Sequence, residues 1–264
     1  MAVSVVDAGE EYWRYVSLCT HVDERRPDTL RAAEMRLEWL RQQAVRHGMR
    51  TKVALGRDGK PLGFVHMLPV ESPLSGMIGR GLTAIPCLTI DYQLVYAQRH
   101  GTGVGRALMQ ACEAEARASS KGLAVYAYGG DFWFMPSAFF QKMGFVQGSK
   151  SPNIWVKRWA DIEDPVEPVQ CYEYAAVPGK VAIDYFWSPF CFTVCKEALN
   201  IRDVAREFGD EVVLREHRAD DPESFARYGM LRALFINGKS RFWGYEAPKE
   251  ELRKEITKAL QDLS

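Results

Sequence analysis

Apolar residues recur along the chain with two different periods, and switches between them predict the order of elements. Residues 3–7 read as a strand and residues 10–19 as a helix. A second helix is predicted over 29–47, with Leu30, Ala33, Leu37, Leu40 and Ala44 on one face and Gly48 ending it. Strands over 51–55 and 61–69 flank Arg57-Asp58-Gly59-Lys60, and Asp-Gly between apolar alternations marks a hairpin. Residues 72–81 are rich in glycine and serine and read as a loop. The apolar run 86–95 is strand-like. It leads, through a glycine-rich turn, into a helix whose Val104, Ala107, Leu108, Ala111 and Cys112 share one face. A strand over 122–128, a short helix opening at Ser137 and stopping at Gly144, and a closing strand over 153–159 complete this half.

Residues 161–168, Asp-Ile-Glu-Asp-Pro-Val-Glu-Pro, are acidic, carry two prolines and are poor in core residues, so they read as a linker. Beyond them the order starts afresh: a strand over 180–187, a helix over 195–208, a strand over 211–217, a short helix over 222–228, a hairpin beginning at 234–239 and a terminal helix over 248–263. The expectation is a mixed α/β protein of two domains, 1–160 and 170–264, joined by 161–169.

At 264 residues the chain is long enough for two cores. Lys+Arg and Asp+Glu both number 34, and no basic stripe of the kind a nucleic-acid binder carries is present. The first residues lack the basic start and long apolar core of a signal peptide, and no apolar run approaches bilayer-spanning length. Six scattered cysteines suit a reducing cytoplasm better than a secreted disulfide framework.

The richest chemistry lies at His100-Gly101-Thr102-Gly103-Val104-Gly105-Arg106. Glycines at alternate positions, placed where a helix begins, let the backbone approach a bulky anion. Unpaired N–H groups of the first helical turn then hold it against the positive end of the macrodipole. A pyrophosphate is the expected ligand. Downstream, Phe140-Gln141-Lys142-Met143-Gly144-Phe145 follows the strand 122–128. Together the two segments resemble the acetyl-CoA signature of the GNAT acetyltransferases, in which the loop reads Gln/Arg-x-x-Gly-x-Gly/Ala and a later helix ends Tyr-x-x-x-Gly-Phe. The resemblance covers residues 3–158. Here His100 stands at the Gln/Arg position and Phe140 at the usual tyrosine.

The resemblance implies a central mixed, twisted sheet flanked by helices, and an acetyl-CoA-dependent N-acetyltransferase acting on the amine of a small molecule or peptide, with a homodimer as one arrangement. It places pantetheine along the backbone of Leu94, Val95 and Tyr96, the pyrophosphate on His100 to Arg106, and Phe140 beside the donor. Phe140 has no phenol to protonate the departing sulfur. Tyr126, Tyr128 or water are the substitutes, and a thiol ionising near pH ~8.5 is already a tolerable leaving group. Asp91, Glu71 and Asp131 are the carboxylates nearest the expected cleft, each a candidate base, with attack assisted by ordered water as the rival.

In the second half, the segments 184–191 and 228–239 resemble a small thioredoxin-like domain, and a GNAT domain so extended is similar to proteins with a YoaP-like C-terminal domain. Cys191-Phe192-Thr193-Val194-Cys195 stands where thioredoxins carry Cys-x-x-Cys, with one extra residue, and Arg232-Ala233 replaces the cis-proline. Cβ atoms at i and i+4 of a helix lie about 5–6 Å apart, against ~3.5–4.5 Å for a disulfide, so a bridge requires Cys191 outside the helix or a distorted first turn. The pair is read as an accessory to the acceptor site, as a redox dithiol, or as a soft-metal site. Zinc is disfavoured by the lack of spaced Cys/His ligands, and no metal is predicted. Two rival functions stand beside the transferase: a thiol–disulfide protein using Cys191 and Cys195, and a non-catalytic acyl-CoA-binding regulator.

Overall fold

A computed structural model describes residues 3–19, 26–91, 102–130 and 134–263. The chain divides into two compact units, one made of residues 1–22 and 40–168, the other of 23–39 and 169–264.

The first unit is built on a seven-stranded sheet of order β1-β2-β3-β4-β5-β7-β6. Its strands are β1 (Ser4–Asp7), β2 (Arg50–Leu55), β3 (Pro61–Pro69), β4 (Thr83–Ile90), β5 (Gly122–Tyr126), β6 (Val146–Gln147) and β7 (Ile154–Arg158). Neighbours are antiparallel except β4 and β5. Helix α1 (Glu10–Leu18) sends Tyr15 against Phe64 of β3, their ring centroids 6.1 Å apart. The opposite face carries α3 (Val104–Ala116) and α4 (Ser137–Lys142). There Val104, Leu108 and Cys112, four residues apart, pack with Val65, Met67, Ile85, Leu123, Val125 and Phe140 into one buried cluster.

The strand leading to the glycine loop, β4, runs to Ile90; of the apolar run 86–95, residues 92–95 lie outside the described residues. It also carries a bulge. His66 faces Cys87 and Leu68 faces Ala84, so Ile85 and Pro86 together oppose Met67. A proline fits there because a bulged position need not donate to the ladder. Residues 161–168, expected to form a linker, are held to the first unit. Val166 and Ile78 form an antiparallel bridge, and Asp164 accepts from the Ser149 N–H at 2.8 Å and pairs with Arg158.

The second unit has a four-stranded sheet of order β11-β10-β8-β9, from β8 (Val181–Trp187), β9 (Val212–Arg218), β10 (Ala233–Ile236) and β11 (Lys239–Arg241). β8 runs parallel to β9 and antiparallel to β10. Every residue of β8 is buried, as the near-continuous apolar run of a central strand requires. Asn237 and Gly238, with φ of 46° and 75°, turn β10 into β11. Helices α5 (Phe192–Glu207), α6 (Pro222–Tyr228) and α7 (Lys249–Gln261) complete it, α5 and α7 packing Val194, Ala198, Ile201, Leu252 and Ile256 on Ile183, Tyr185 and Trp187.

Helix α2 (Pro27–Gln43) is assigned to both units, its residues 27–39 to the second and 40–43 to the first. Within the second unit, the fully buried Arg36 donates from Nε to the Phe190 carbonyl at 2.9 Å. Trp39 Nε1 donates to Asp220 at 2.8 Å, and Arg31 pairs with Asp203 at 3.2 Å.

Candidate active site

The strand β4 and helix α3 frame the site. β4 pairs with β5 only at Thr83–Leu123 and Ala84–Ala124. Beyond Ala84, β5 continues with β7, and no strand among the described residues pairs with β4 on that side.

At the start of α3 the described glycines have separate physical reasons. Gly103 is the N-cap, with φ +81°, a conformation that costs an L side chain roughly 1–2 kcal/mol. Among the described residues, a Cβ built on it meets nothing within 4 Å. Gly105 is a packing glycine: its Cβ would lie 3.2 Å from both Ile90 Cδ1 and Phe139 Cζ. The first intrahelical bond runs from the Ala107 N–H to the Gly103 carbonyl, 2.9 Å. The N–H groups of Val104, Gly105 and Arg106 precede it and have no acceptor within the helix. The first turn holds no acidic residue, and Arg106 is exposed beside it. Free helical N–H groups with no carboxylate in the first turn give this helix end the electrostatics that favour an anion. Thr102 is half-buried at its rim. His100, Gly101, Leu94, Val95, Tyr96 and Asp131 lie outside the described residues.

The remaining expected residues fall in different places. Asp91 directly follows β4, its N–H fixed on the Leu62 carbonyl at 2.8 Å. Burial first, then the charges of Asp91 and Cys19, hold the Tyr15 phenol well above its ordinary pKa, which puts the Asp91 carboxylate near that ring. Glu71 spends Oε1 on the Gly81 N–H at 2.7 Å. Tyr126 donates its hydroxyl to the Gly76 carbonyl at 2.7 Å. Burial, reinforced by Glu167 and Tyr128, raises its pKa, so it stays protonated and engaged. Tyr128 keeps 37% of its surface exposed, yet partial burial of the phenol, then the charge of Glu167, raises its pKa as well. Phe140 is fully buried, edge to face with Phe139 and Phe145 at 5.1 and 5.5 Å.

In the second unit Cys191 is the N-cap of α5, exposed and extended, so it lies outside the helix proper. Cys195 sits one turn in, fully buried, its N–H on the Cys191 carbonyl at 3.0 Å and its thiol on the Pro189 carbonyl at 3.4 Å. Burial, partly opposed by Arg36, pushes that thiol far above its ordinary pKa. Both thiols are free. Arg232, at the position expected to differ from thioredoxins, is clamped by buried Glu197 through two hydrogen bonds of 2.8 and 2.9 Å. Glu197 in turn takes the Tyr185 hydroxyl and the Ala247 N–H. Among the described residues no group of three or more His, Cys, Asp or Glu is arranged to hold a metal ion.

Sequence reasoning missed the polar groups buried in the sheets. On β3 the fully buried His66 shares a hydrogen bond between its Nδ1 and Thr51 Oγ1, 2.7 Å. On β8 the buried Asp184 gathers Arg215, His217 and Tyr172 at 2.7, 3.2 and 2.8 Å. The available signal was a polar residue inside an otherwise apolar strand.

A family model described as the acetyltransferase (GNAT) family matches residues 11–145, just over half of the chain. A search of curated proteins finds no match. Several solved structures are similar at low identity. A GNAT family acetyltransferase from Brucella melitensis, in complex with acetyl-CoA, is 16% identical, over 62% of this chain and 95% of that one, with a TM-score of 0.40. The PaiA N-acetyltransferase from Thermoplasma acidophilum, in complex with coenzyme A, is 13% identical over 60% and 100%, with a TM-score of 0.43. The GNAT family N-acetyltransferase YhbS from Escherichia coli, in complex with CoA, is 13% identical over 60% and 82%, with a TM-score of 0.41. With its family-model match running from α1 through the glycine loop to Phe145, the chain belongs to the GNAT family of acetyltransferases.

Proposed function

We propose that the protein transfers the acetyl group of acetyl-CoA to the amine of a small molecule or peptide. The observation that carries this reading is the juxtaposition of the N-terminus of α3 at Gly103, whose first three amides have no acceptor within the helix, with a strand, β4, that pairs with β5 only at Thr83 and Ala84. The amides of Val104, Gly105 and Arg106, with Thr102 and the loop residues His100 and Gly101, hold the pyrophosphate. Pantetheine pairs with the backbone of Leu94, Val95 and Tyr96, which follow β4 in the chain. A thioester is already activated, so alignment of the amine supplies most of the rate gain. Asp91, fixed at the end of β4, is the favoured proton acceptor. Glu71 has one oxygen committed to Gly81, and Asp131 is the third candidate. Coenzyme A departs as a thiolate without a phenol at position 140, Tyr128 being the exposed alternative donor.

The parallel β8–β9 pair, antiparallel β10 and β11, and helices α5 and α7 support a thioredoxin-like, YoaP-like reading of 170–264. The favoured role of that part is shaping the acceptor site. A second reading, thiol–disulfide exchange, is favoured by one observation: an exposed Cys191 at a helix N-cap above a buried Cys195.

The test is calorimetric titration with acetyl-CoA, followed by CoA release in the presence of spermidine, an aminoglycoside, amino acids and short peptides. Binding with CoA release supports the transferase. Binding with no release from any amine favours the regulator reading, and no heat refutes the donor site. Insulin reduction lost in Cys191→Ser would support the second reading.

A further inference from the structure

At the end of β5 an acid stands without a cation among the described residues. Leu123, Val125 and Ala127 enter the cluster under α3, so Tyr126 projects to the opposite face of the sheet. Its hydroxyl is fixed on the Gly76 carbonyl at 2.7 Å. Beside it, the Ala127 N–H donates to the Asn153 carbonyl at 2.9 Å, and Asn153 Nδ2 donates to Glu167 Oε1 at 3.3 Å. Ser151 Oγ donates to the same oxygen. Two neutral donors thus hold Glu167 against the end of β5, and the Ile78–Val166 bridge holds the segment that carries it. Among the described residues, Oε2 accepts no hydrogen bond and no cation pairs with this carboxylate. Its neighbours in the segment differ: Glu163 pairs with Lys150 and Asp164 with Arg158. After burial, the charge of Glu167 is the next cause that holds the Tyr126 and Tyr128 phenols above their ordinary pKa, which puts it near both. Ile78, 56% exposed, adds apolar surface one residue away across the bridge.

We propose that Glu167 selects the acceptor by binding the second ammonium group of a di- or polyamine, whose other amine takes the acetyl group. The inference rests on the acetyl-transfer reading above. Helices α3 and α4 cover one face of the sheet at this end, so the amine approaches from the face to which Tyr126 projects. β5 runs on to Tyr126, two residues beyond Ala124, its last partner on β4. The carboxylate therefore stands near the place where β4, the strand that leads to the donor site, parts from β5. The methylenes between two amines lie on the apolar surface at Ile78, and the distal ammonium donates to Oε2 of Glu167. A carboxylate at that end of an acceptor meets a like charge, and a neutral tail leaves Glu167 unpaired, so the same group that attracts one class repels another. Glu167 sets specificity away from the reacting atoms and moves no proton.

The experiment follows CoA release by the full chain with three acceptors of one length: 1,5-diaminopentane, n-pentylamine and 5-aminopentanoate. The expected KM is lowest for the diamine and highest for the amino acid. Glu167→Gln keeps an oxygen for Ser151 and Asn153 but removes the charge. It should raise the diamine KM roughly 3–10-fold, the range for a charge-assisted bond at an exposed carboxylate, and bring the ratio of diamine to pentylamine KM close to one. A carboxylate that only pins its own segment would shift all three KM values alike. Should the variant fail to fold, the parent decides by salt: a diamine KM that rises with ionic strength more steeply than the pentylamine KM supports the proposal, and equal slopes overturn it. Equal KM values for diamine and pentylamine in the parent, a ratio unchanged in Glu167→Gln, or acetylation of peptides and amino acids alone overturns the proposal and leaves acetyl transfer standing. Binding of acetyl-CoA with no release from any amine, or no binding heat at all, overturns both.

Discussion

Replacing Gly103 by asparagine separates the anion-site argument from simple damage to the fold. Gly103 is left-handed, and among the described residues nothing lies within 4 Å of where a Cβ would go. Alanine there should cost roughly 1–2 kcal/mol, the ordinary penalty for an L residue in that region. Asparagine tolerates the conformation and is a favoured N-cap, its side-chain oxygen accepting an N–H of the first turn. Gly103→Asn should therefore match or exceed the parent in urea denaturation. That same oxygen takes the place of the donor's phosphate. Charge-assisted hydrogen bonds contribute about 1.5–3 kcal/mol each, so losing two weakens acetyl-CoA binding by about 3–6 kcal/mol, or roughly 10²–10⁴-fold in Kd. Even the alanine variant, losing about 2 kcal/mol from a low-end stability of about 5, stays roughly 99% folded. Unfolding cannot mimic the effect. Calorimetric titration of parent, alanine and asparagine variants gives the answer. A Gly103→Asn protein that binds acetyl-CoA like the parent would refute the cradle.

Three further outcomes test the packing. Glu197→Ala removes the buried partner of Arg232, and the loss should fall near about 3 kcal/mol, the low end for a broken buried pair, because the arginine keeps 25% of its side chain exposed. A loss below about 1 kcal/mol in urea denaturation would contradict that picture. Phe140→Tyr puts a hydroxyl into a fully buried aromatic cluster and should cost about 1–3 kcal/mol without raising the rate of CoA release; a faster, equally stable enzyme would show that position 140 faces the donor. Burial works to raise the Asp164 pKa, but the Ser149 N–H and Arg158 outweigh it and hold the group below its ordinary value. Its stabilisation is thus complete above the unfolded value near pH ~3.9 and lost as pH falls through the lower folded value. Asp164→Asn should be less stable than the parent at neutral pH, with the gap closing in acid; equal stability at neutral pH would remove Asp164 from the account.

Local chemistry was the legible part. The glycine turn, the amphipathic face of α3, the Asp58-Gly59 hairpin and the αL stop at Gly144 all follow from residues a few positions apart, and the structure has them. What local periodicity cannot encode is the identity of a partner. The pattern Leu30, Ala33, Leu37 announces a helix but not which body each turn meets, and Arg36 reads as a solvated side chain until it is found fully buried. Nor does an apolar run reveal where its ladder stops. β4 pairs with β5 only at Thr83 and Ala84, although its apolar residues continue to Ile90. His66 and Cys87 become neighbours only through a register that the bulge shifts.

Helix α2 also constrains how the molecule is made. The Arg36–Phe190 bond joins residues 154 positions apart, so the early helix must wait, during vectorial synthesis, for a binding surface translated long afterwards. Closing so distant a contact is entropically slow. A ribosome paused after residue 168 would hold a nascent chain whose first half-helix has yet to meet its sheet, a stage at which chaperone engagement and proteolytic loss compete with maturation.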